Sequence, residues 1–262
     1  MGVDAIIGLI ETLRGKNGCP WDRKQTPRTI VAYLLEEVYE LIDAVGSGSH
    51  GDVCEELGDV LFHILFLVSL YREMGCFDIQ EVCDLNLEKM TRRHPHVFGD
   101  DRVDSADEVR ARWQKIKMKE KPLASVASIL DSIPSNLPAL MRAYRISDRA
   151  AKTGFDWEDI SGVMEKVEEE WAELKTALSR QDGRSQQKNH LALEFGDVLF
   201  TLVNVARFAR IHPEFALRDS TKKFENRFKY MEKLIEKSGK DFGSVPPEKM
   251  NALWEATKSK ID

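Results

Sequence analysis

The amino-acid sequence predicts an all-α protein built as two tandem copies of one helical-bundle unit. The first observation is a repeat: residues 56–62 read Glu-Leu-Gly-Asp-Val-Leu-Phe and residues 194–200 read Glu-Phe-Gly-Asp-Val-Leu-Phe, matching at six of seven positions. Flanking landmarks follow in the same order around both copies, the mark of an internal duplication. The second is apolar spacing of three and four residues, the period of a helix with one face in a core. The third is that no convincing two-residue alternation, the signature of a strand, occurs in the sequence.

Each element follows in chain order. Pro20-Trp21-Asp22 leads into the first unit, as Phe155-Asp156-Trp157 leads into the second. Thr26 before Pro27 predicts a cap and first helical position. The helix expected over about 28–45 presents Leu34, Val38, Leu41 and Val45 as its core stripe. Ser47-Gly48-Ser49-His50-Gly51 breaks the chain before a helix over about 52–74. Its apolar run, Val60 to Tyr71, carries His63 and Ser69 and is too short to span a bilayer, so it reads as buried, with His63 a satisfied core histidine. Arg92-Arg93-His94-Pro95-His96-Val97-Phe98 ends a later helix in a basic segment without counterpart in the second half; composition leaves a capped turn and a binding loop both open. Ser105-Ala-Asp-Glu108 fits a capping box. Pro122, Pro134, Pro138 and frequent serines then interrupt helical patterning. The expected division is therefore a unit at 1–120, a linker at 121–137 and a unit at 138–262, the last with helices near 159–180 and 188–210.

Composition narrows the partners. The 262 residues are 42% hydrophobic and 31% charged, which fits a globular chain with real cores. A net charge of −6 argues against binding a nucleic acid by broad phosphate neutralisation. An acidic chain that takes a phosphorylated small molecule needs a metal ion or a local basic cluster. Cys19, Cys54, Cys76 and Cys83 form no CxxC pair, and Met1 to Ile10 lacks the pattern of a signal peptide, so a reducing cytoplasm is the expected setting, with no membrane partner.

The repeat concentrates acids. Glu37 and Glu40 project from one helix surface, and Glu56 and Asp59 do so on the next. Two helices joined by a short loop run antiparallel, so the pairs face one another. Glu170, Glu173, Glu194 and Asp197 form the matching set. Four carboxylates that close repel by several kcal/mol even at an effective dielectric of ~20. Hard divalent cations relieve that repulsion, and all-oxygen ligands suit Mg²⁺ or Mn²⁺ over zinc or copper. Gly58 and Gly196, between the paired acids, would let a ligand or another helix approach.

Basic and aromatic residues recur too. Lys223 and Arg227 lie one turn apart and suit a phosphate held between them; Lys89 and Arg93 match them. Trp254 and its match Trp113 are candidates to stack on a base or to pack in a core. The units differ at one position: Lys166 shares a helix face with Glu170, whereas Tyr33 stands in that place before Glu37. The extra charge favours the second unit as the more active one.

At these residues the chain resembles the all-α nucleoside triphosphate pyrophosphohydrolase superfamily, through Glu-x-x-Glu followed one helix later by Glu-x-x-Asp. The tandem arrangement, with Gly18-Cys19-Pro20-Trp21-Asp22 and Arg93-His94-Pro95-His96-Val97-Phe98, closely resembles the two-domain MazG proteins over about residues 5–258. The resemblance implies Mg²⁺-dependent conversion of a nucleoside triphosphate to monophosphate and pyrophosphate, and a homodimer whose bundles are completed between subunits. It implies metal ligands at Glu170, Glu173, Glu194 and Asp197 and, by repeat, at Glu37, Glu40, Glu56 and Asp59. Nucleotide contacts are implied at Lys166, Lys223, Arg227 and Trp254, and by repeat at Lys89, Arg93 and Trp113. Glu169, matched by Glu36, is a candidate to position or deprotonate the attacking water. Related proteins often carry Lys about four residues before the second Glu-x-x-Asp; here that residue is His190, with Lys188 nearby.

Two other readings compete. A di-iron bundle needs Glu-x-x-His on inward helices, and none of the six histidines has Glu three residues before it. A helical module that senses nucleotides without turning them over remains open for the first unit, which lacks a match to Lys166.

Overall fold

In a computed structural model the regular secondary structure of the described residues is all helical; these residues are 2–106, 108, 109, 112, 113, 116, 120, 128–179, 185–239 and 241–261. It divides into two compact units, 1–121 and 122–262. Residues 121–127 of the expected linker lie outside the described residues, as do Gln114, Lys115 and Lys117 beside Trp113.

In the first unit α1 (Val3–Arg14) is followed by a 3-10 turn at Asp22–Lys24, then α2 (Pro27–Ser47), α3 (His50–Glu73), α4 (Ile79–Arg93) and the single turn α5 (Pro95–Phe98). The α2–α3 hairpin dominates; α1 lies along α3, and α4 touches α3. Thr26 caps α2 as expected, accepting from the Thr29 amide with Pro27 at the first position. Gly48 turns the hairpin at φ +76, a left-handed conformation that a Cβ would strain.

The hairpin buries the face its sequence suggests, except at its far end: Leu34, Val38 and Leu41 are half-buried on the same line as Ile30 and Ala44. Ile30 and Ala44 are the buried residues of α2, whereas Val45 is 62% exposed. Val31 and Leu35 on α2, and Leu57, Leu61 and Ile64 on α3, are exposed too. Helices this apolar carry two hydrophobic faces; the core takes only one. That core joins Ile10, Ile30, Leu65, Phe66 and Leu70, with Phe62 and Tyr33 against it. His63 is only half-buried, so the core histidine expected there is corrected: with Phe66 occupying the interior, His63 sits at the rim beside Tyr33 and Phe62.

The basic segment at 92–98 is a capped turn. α4 stops at Arg93, and Nδ1 of His94 stands 2.6 Å from the Met90 carbonyl, an acceptor, so the ring nitrogen donates. Pro95 then starts α5. At 105–108 the cap differs from a closed box: the Glu108 amide donates to Ser105 Oγ at 3.2 Å, but the Glu108 carboxylate accepts from the Asp104 amide.

The second unit repeats the order: α6 (Ala139–Ala151), α7 (Ile160–Ser179), α8 (Ser185–Phe208), α9 (Pro213–Lys237) and α10 (Pro247–Ile261). α7 and α8 form the main hairpin, α6 packs on α8, and α9 reaches α6, α8 and α10. Met231, Ile235 and Val245 make a small core of their own with Phe228, Leu253 and Trp254. No helix among the described residues is long and apolar enough to cross a membrane.

A nearly buried arginine helps to pin each unit. In the first, Arg14 at the end of α1 donates to both carboxylate oxygens of Glu73 on α3 at 2.7 and 2.6 Å, and to the Asp22 carbonyl at 2.5 Å. Hydrogen bonding from Arg14 holds the Glu73 carboxyl below its ordinary value. In the second, Arg207 near the end of α8 donates to both oxygens of Asp156 and, through Nε, to Ser147 Oγ at 2.7 Å on α6. The Asp156-Trp157 segment is thereby tied down just ahead of α7. Partners 51 and 59 residues apart leave no local signal in the sequence.

Candidate functional site

α2 and α3 bring Glu37, Glu56 and Asp59 together, each offering one carboxylate oxygen within 4.8 Å of the others. The spacing explains it: three residues keep a pair on one helix face, and the antiparallel hairpin turns the two faces inward. Burial, then repulsion from Asp59 and Glu40, pushes the Glu37 carboxyl above its ordinary value. Burial, then repulsion from Glu40, Asp59 and Glu37, does the same to Glu56. The set concentrates acidic groups that repel one another, and Glu40 contributes to its field while remaining exposed.

The second unit gathers Glu170, Glu173 and Glu194 within 4.8 Å; here the match of Glu40 is inside the set, and Asp197, the match of Asp59, is outside it. Glu170 is 7% exposed. Asp197 lies one turn beyond Glu194 on α8 and is exposed. This set already holds a cation of its own. Lys166 Nζ reaches Glu169 at 2.8 Å and Glu170 at 2.9 Å, and those hydrogen bonds, Glu169 first, raise its pKa. His190 Nδ1 stands 3.2 Å from Glu194. Lys166 thus bridges the expected water-positioning acid and the buried Glu170, and His190 stands one turn before Glu194.

The donor set fits the cation that the sequence suggests. All candidate ligands are carboxylate oxygens, on rigid helices, with like-charge repulsion that a hard divalent ion relieves. Gly58 and Gly196 have open space: a Cβ at either would meet nothing within 4 Å. Close packing inside the unit is therefore not what keeps these positions small.

The basic and aromatic residues gather with each other. Arg227 lies over the Trp254 ring at 6.0 Å and Arg93 over Trp113 at 5.2 Å, so the repeat preserves the same cation–π pair in both units. Lys223 is exposed one turn before the buried Arg227. Trp254 also packs on Phe224 at 5.0 Å and on the small core, a half-buried position. α9, which carries Lys223 and Arg227, packs against α8, which carries Glu194 and Asp197. Lys89 is half-buried on α4.

Arg93 is occupied differently from the role suggested by repeat. Its Nη2 stands 2.5 Å from Glu120, which Arg92 also reaches at 2.9 Å. Hydrogen bonding from Arg93 leads these effects and holds the Glu120 carboxyl down from 4.5 to about 2. A carboxyl depressed in the folded state contributes stability above its unfolded value and loses it as pH falls through the folded one. Stability of the intact chain is expected to fall between pH 4.5 and about 2, and Arg93→Ala to flatten that slope in denaturant titrations run across the range. An unchanged slope would remove the pair from the account.

Comparison with known proteins agrees with this duplicated arrangement. The family model described as the MazG nucleotide pyrophosphohydrolase domain matches twice, at residues 25–98 and 158–236, each match enclosing one acid set. The nucleoside triphosphate pyrophosphohydrolase/pyrophosphatase MazG of Thermotoga maritima is 44% identical over 97% of this chain and 95% of its own. The nucleoside triphosphate pyrophosphohydrolase of Escherichia coli is 41% identical over 98% of this chain and 97% of its own. A crystal structure of a mazG-related protein from Thermotoga maritima aligns at 26% identity with a TM-score of 0.39, covering 44% of this chain and 98% of that one. With both acid sets inside the matched segments and relatives aligned nearly end to end, the chain belongs to the MazG nucleotide pyrophosphohydrolase family.

Proposed function

We propose that the chain hydrolyses nucleoside triphosphates to the monophosphate and pyrophosphate, chiefly at the acid set of the second unit, with Mg²⁺ or Mn²⁺ as resident cation. The observation that carries the reading is the gathering of Glu170, Glu173 and Glu194 within 4.8 Å, with Lys166 against Glu170. The names of the two relatives similar over nearly their whole length support it. A hard divalent cation at these oxygens, with Asp197 as fourth ligand, would supply Lewis-acid charge to the phosphates and acidify water.

The chain's own groups do the remaining work. Glu169, steadied by Lys166, orients the water that attacks the α-phosphorus and is placed to take its proton. Lys223 and Arg227 neutralise the pyrophosphate that leaves, and Lys166 adds charge beside the acids. Trp254 offers a ring face to the base. Such an enzyme would clear or regulate a nucleotide pool in the cytoplasm.

Purified chain with Mg²⁺ and mixed nucleoside triphosphates is expected to release pyrophosphate. Orthophosphate as first product would overturn attack at the α-phosphorus, and no turnover with any triphosphate would overturn the enzyme reading.

A second reading applies to the first unit: a nucleotide-sensing module without turnover. Tyr33 stands where the second unit has Lys166, and Arg93 is engaged by Glu120. Assembly enters through the uncovered faces. Val31, Leu35, Leu57 and Leu61 in the first unit, and Trp171, Leu178, Phe195 and Leu199 in the second, are exposed beside their acid sets. A second copy of the chain is the occupant we assign to them, and light scattering should give twice the chain mass; a monomer at micromolar concentration would reject that assembly.

A further inference from the structure

Three aromatic rings stand in a row at one end of the first unit's acid set. Trp21 lies 5.6 Å from Tyr33, and Tyr33 lies 6.1 Å from His63, measured between ring centroids. Tyr33 precedes Glu37 by one turn on α2, and His63 follows Asp59 by one turn on α3. Because the hairpin is antiparallel, both rings lie on the same side of the acids, offset by about 5.4 Å along the helices. His63 is close enough to Glu37 to influence its charge.

Two of the rings are braced. His63 Nδ1 donates to the Asp59 carbonyl at 3.0 Å, and the ring meets Phe62 edge to face at 5.6 Å and 87°. Tyr33 leans on the core built around Phe66. Trp21 is different: 54% of it is open to solvent. A tryptophan recruited only to close the core would bury most of its surface, since burial is where its stabilisation comes from.

The shared fold does not demand this row. At the matching places the second unit has Lys166, and Thr201, which is buried and donates to the Asp197 carbonyl at 2.9 Å. Trp157 packs instead toward Gly162, where an added Cβ would meet its ring at 3.1 Å. One unit carries charge at this end of its acids and the other carries ring faces. Ring faces bind what stacks, and every nucleobase has a π-face to offer.

We propose that the first unit is itself a nucleotide site, in which the base lies on the Trp21–Tyr33–His63 row while the phosphates reach the cation end formed by Glu37, Glu56 and Asp59. It rests on reading that acid set as a cation site and adds the end that recognises the base. With rings in place of Lys166, affinity there is set by the base more than by the number of phosphates. The second unit, with Lys166 in its acid set, has the opposite bias.

The test uses the full chain with Glu170→Gln and Glu194→Gln, titrated calorimetrically in Mg²⁺ with two probes: α,β-methylene-ATP, which carries a base, and inorganic tripolyphosphate, which does not. The base-bearing probe is expected to bind tighter, and Trp21→Ala to weaken it by about ten-fold or more while leaving tripolyphosphate unchanged. Trp21→Phe should restore most of the difference, and Tyr33→Leu should lower it again. Equal binding of the two probes, or a loss from Trp21→Ala that is the same for both, overturns the proposal. Should the doubly substituted chain fail to fold, the unsubstituted chain decides by stoichiometry: two α,β-methylene-ATP per chain falling to one with Trp21→Ala supports the row, and an unchanged count rejects it. Pyrophosphate release by the unsubstituted chain is measured in parallel, so loss of the enzyme reading and loss of the stacking row are seen separately.

Discussion

Glu170→Gln is expected to lower pyrophosphate release by about three orders of magnitude, roughly 4 kcal/mol of transition-state stabilisation. The substitution keeps the shape of a side chain that is 7% exposed, so the helix hairpin should survive. What it removes is one anionic oxygen from a set of three held within 4.8 Å, together with the partner of Lys166 at 2.9 Å. The Mg²⁺ concentration for half-maximal rate should rise as well, because an amide oxygen is a poorer ligand for a hard ion. Glu194→Gln should behave alike. Initial rates of pyrophosphate release across a Mg²⁺ titration check both, with circular dichroism to confirm helix content. Glu37→Gln and Glu56→Gln are expected to cost at least about ten-fold less, since the first unit lacks a cation at the place of Lys166. Equal losses from the two pairs would reverse the assignment of turnover to the second unit.

The largest effect on stability is expected at Arg207. Asn204, 2% exposed, donates to the Phe200 carbonyl at 3.1 Å and accepts from Ser147, which accepts from Arg207, whose guanidinium grips Asp156 in a two-pronged pair. Every member of this chain is satisfied by the next. Arg207→Ala leaves Asp156 without its cationic partner and a hydroxyl nine-tenths buried with one bond fewer, a loss of about 3 kcal/mol. For a unit of this size the thermal midpoint should drop by roughly 10 °C. Arg207→Lys should rescue little, because a point charge cannot make the planar pair and the Nε bond together. Thermal unfolding followed at 222 nm decides it; a drop of less than about 2 °C would mean that the network is ornamental.

How far the sequence reached depended on the range of the interaction. Both acid sets were legible, because helix periodicity and a short hairpin are local rules, and the repeat stated them twice. The cap at Thr26 and the hairpin turn at 47–51 were legible for the same reason. The core face of α2 was legible too, since Ile30 and Ala44 continue the line of Leu34, Val38 and Leu41; the exposure of Val45 was not, because contact with α3 decides how far along the stripe burial runs. The arginine pins escaped notice because their partners are far apart in the chain, and the aromatic row because its members come from a loop and two helices. The Glu120 partner of Arg93 was not legible either, because it lies 27 residues further along the chain.

The exposed leucines, valines and aromatics on the hairpins tie folding to abundance. If their burial is completed only by another chain, part of the free energy of the native state is contributed by mass action, and the melting temperature climbs with protein concentration. A newly made chain would then pass through a sticky, half-dressed stage whose duration depends on how quickly it meets its twin. Cells that make little of the protein would hold a larger share of it in that vulnerable form, open to proteases and chaperones, than cells that make much.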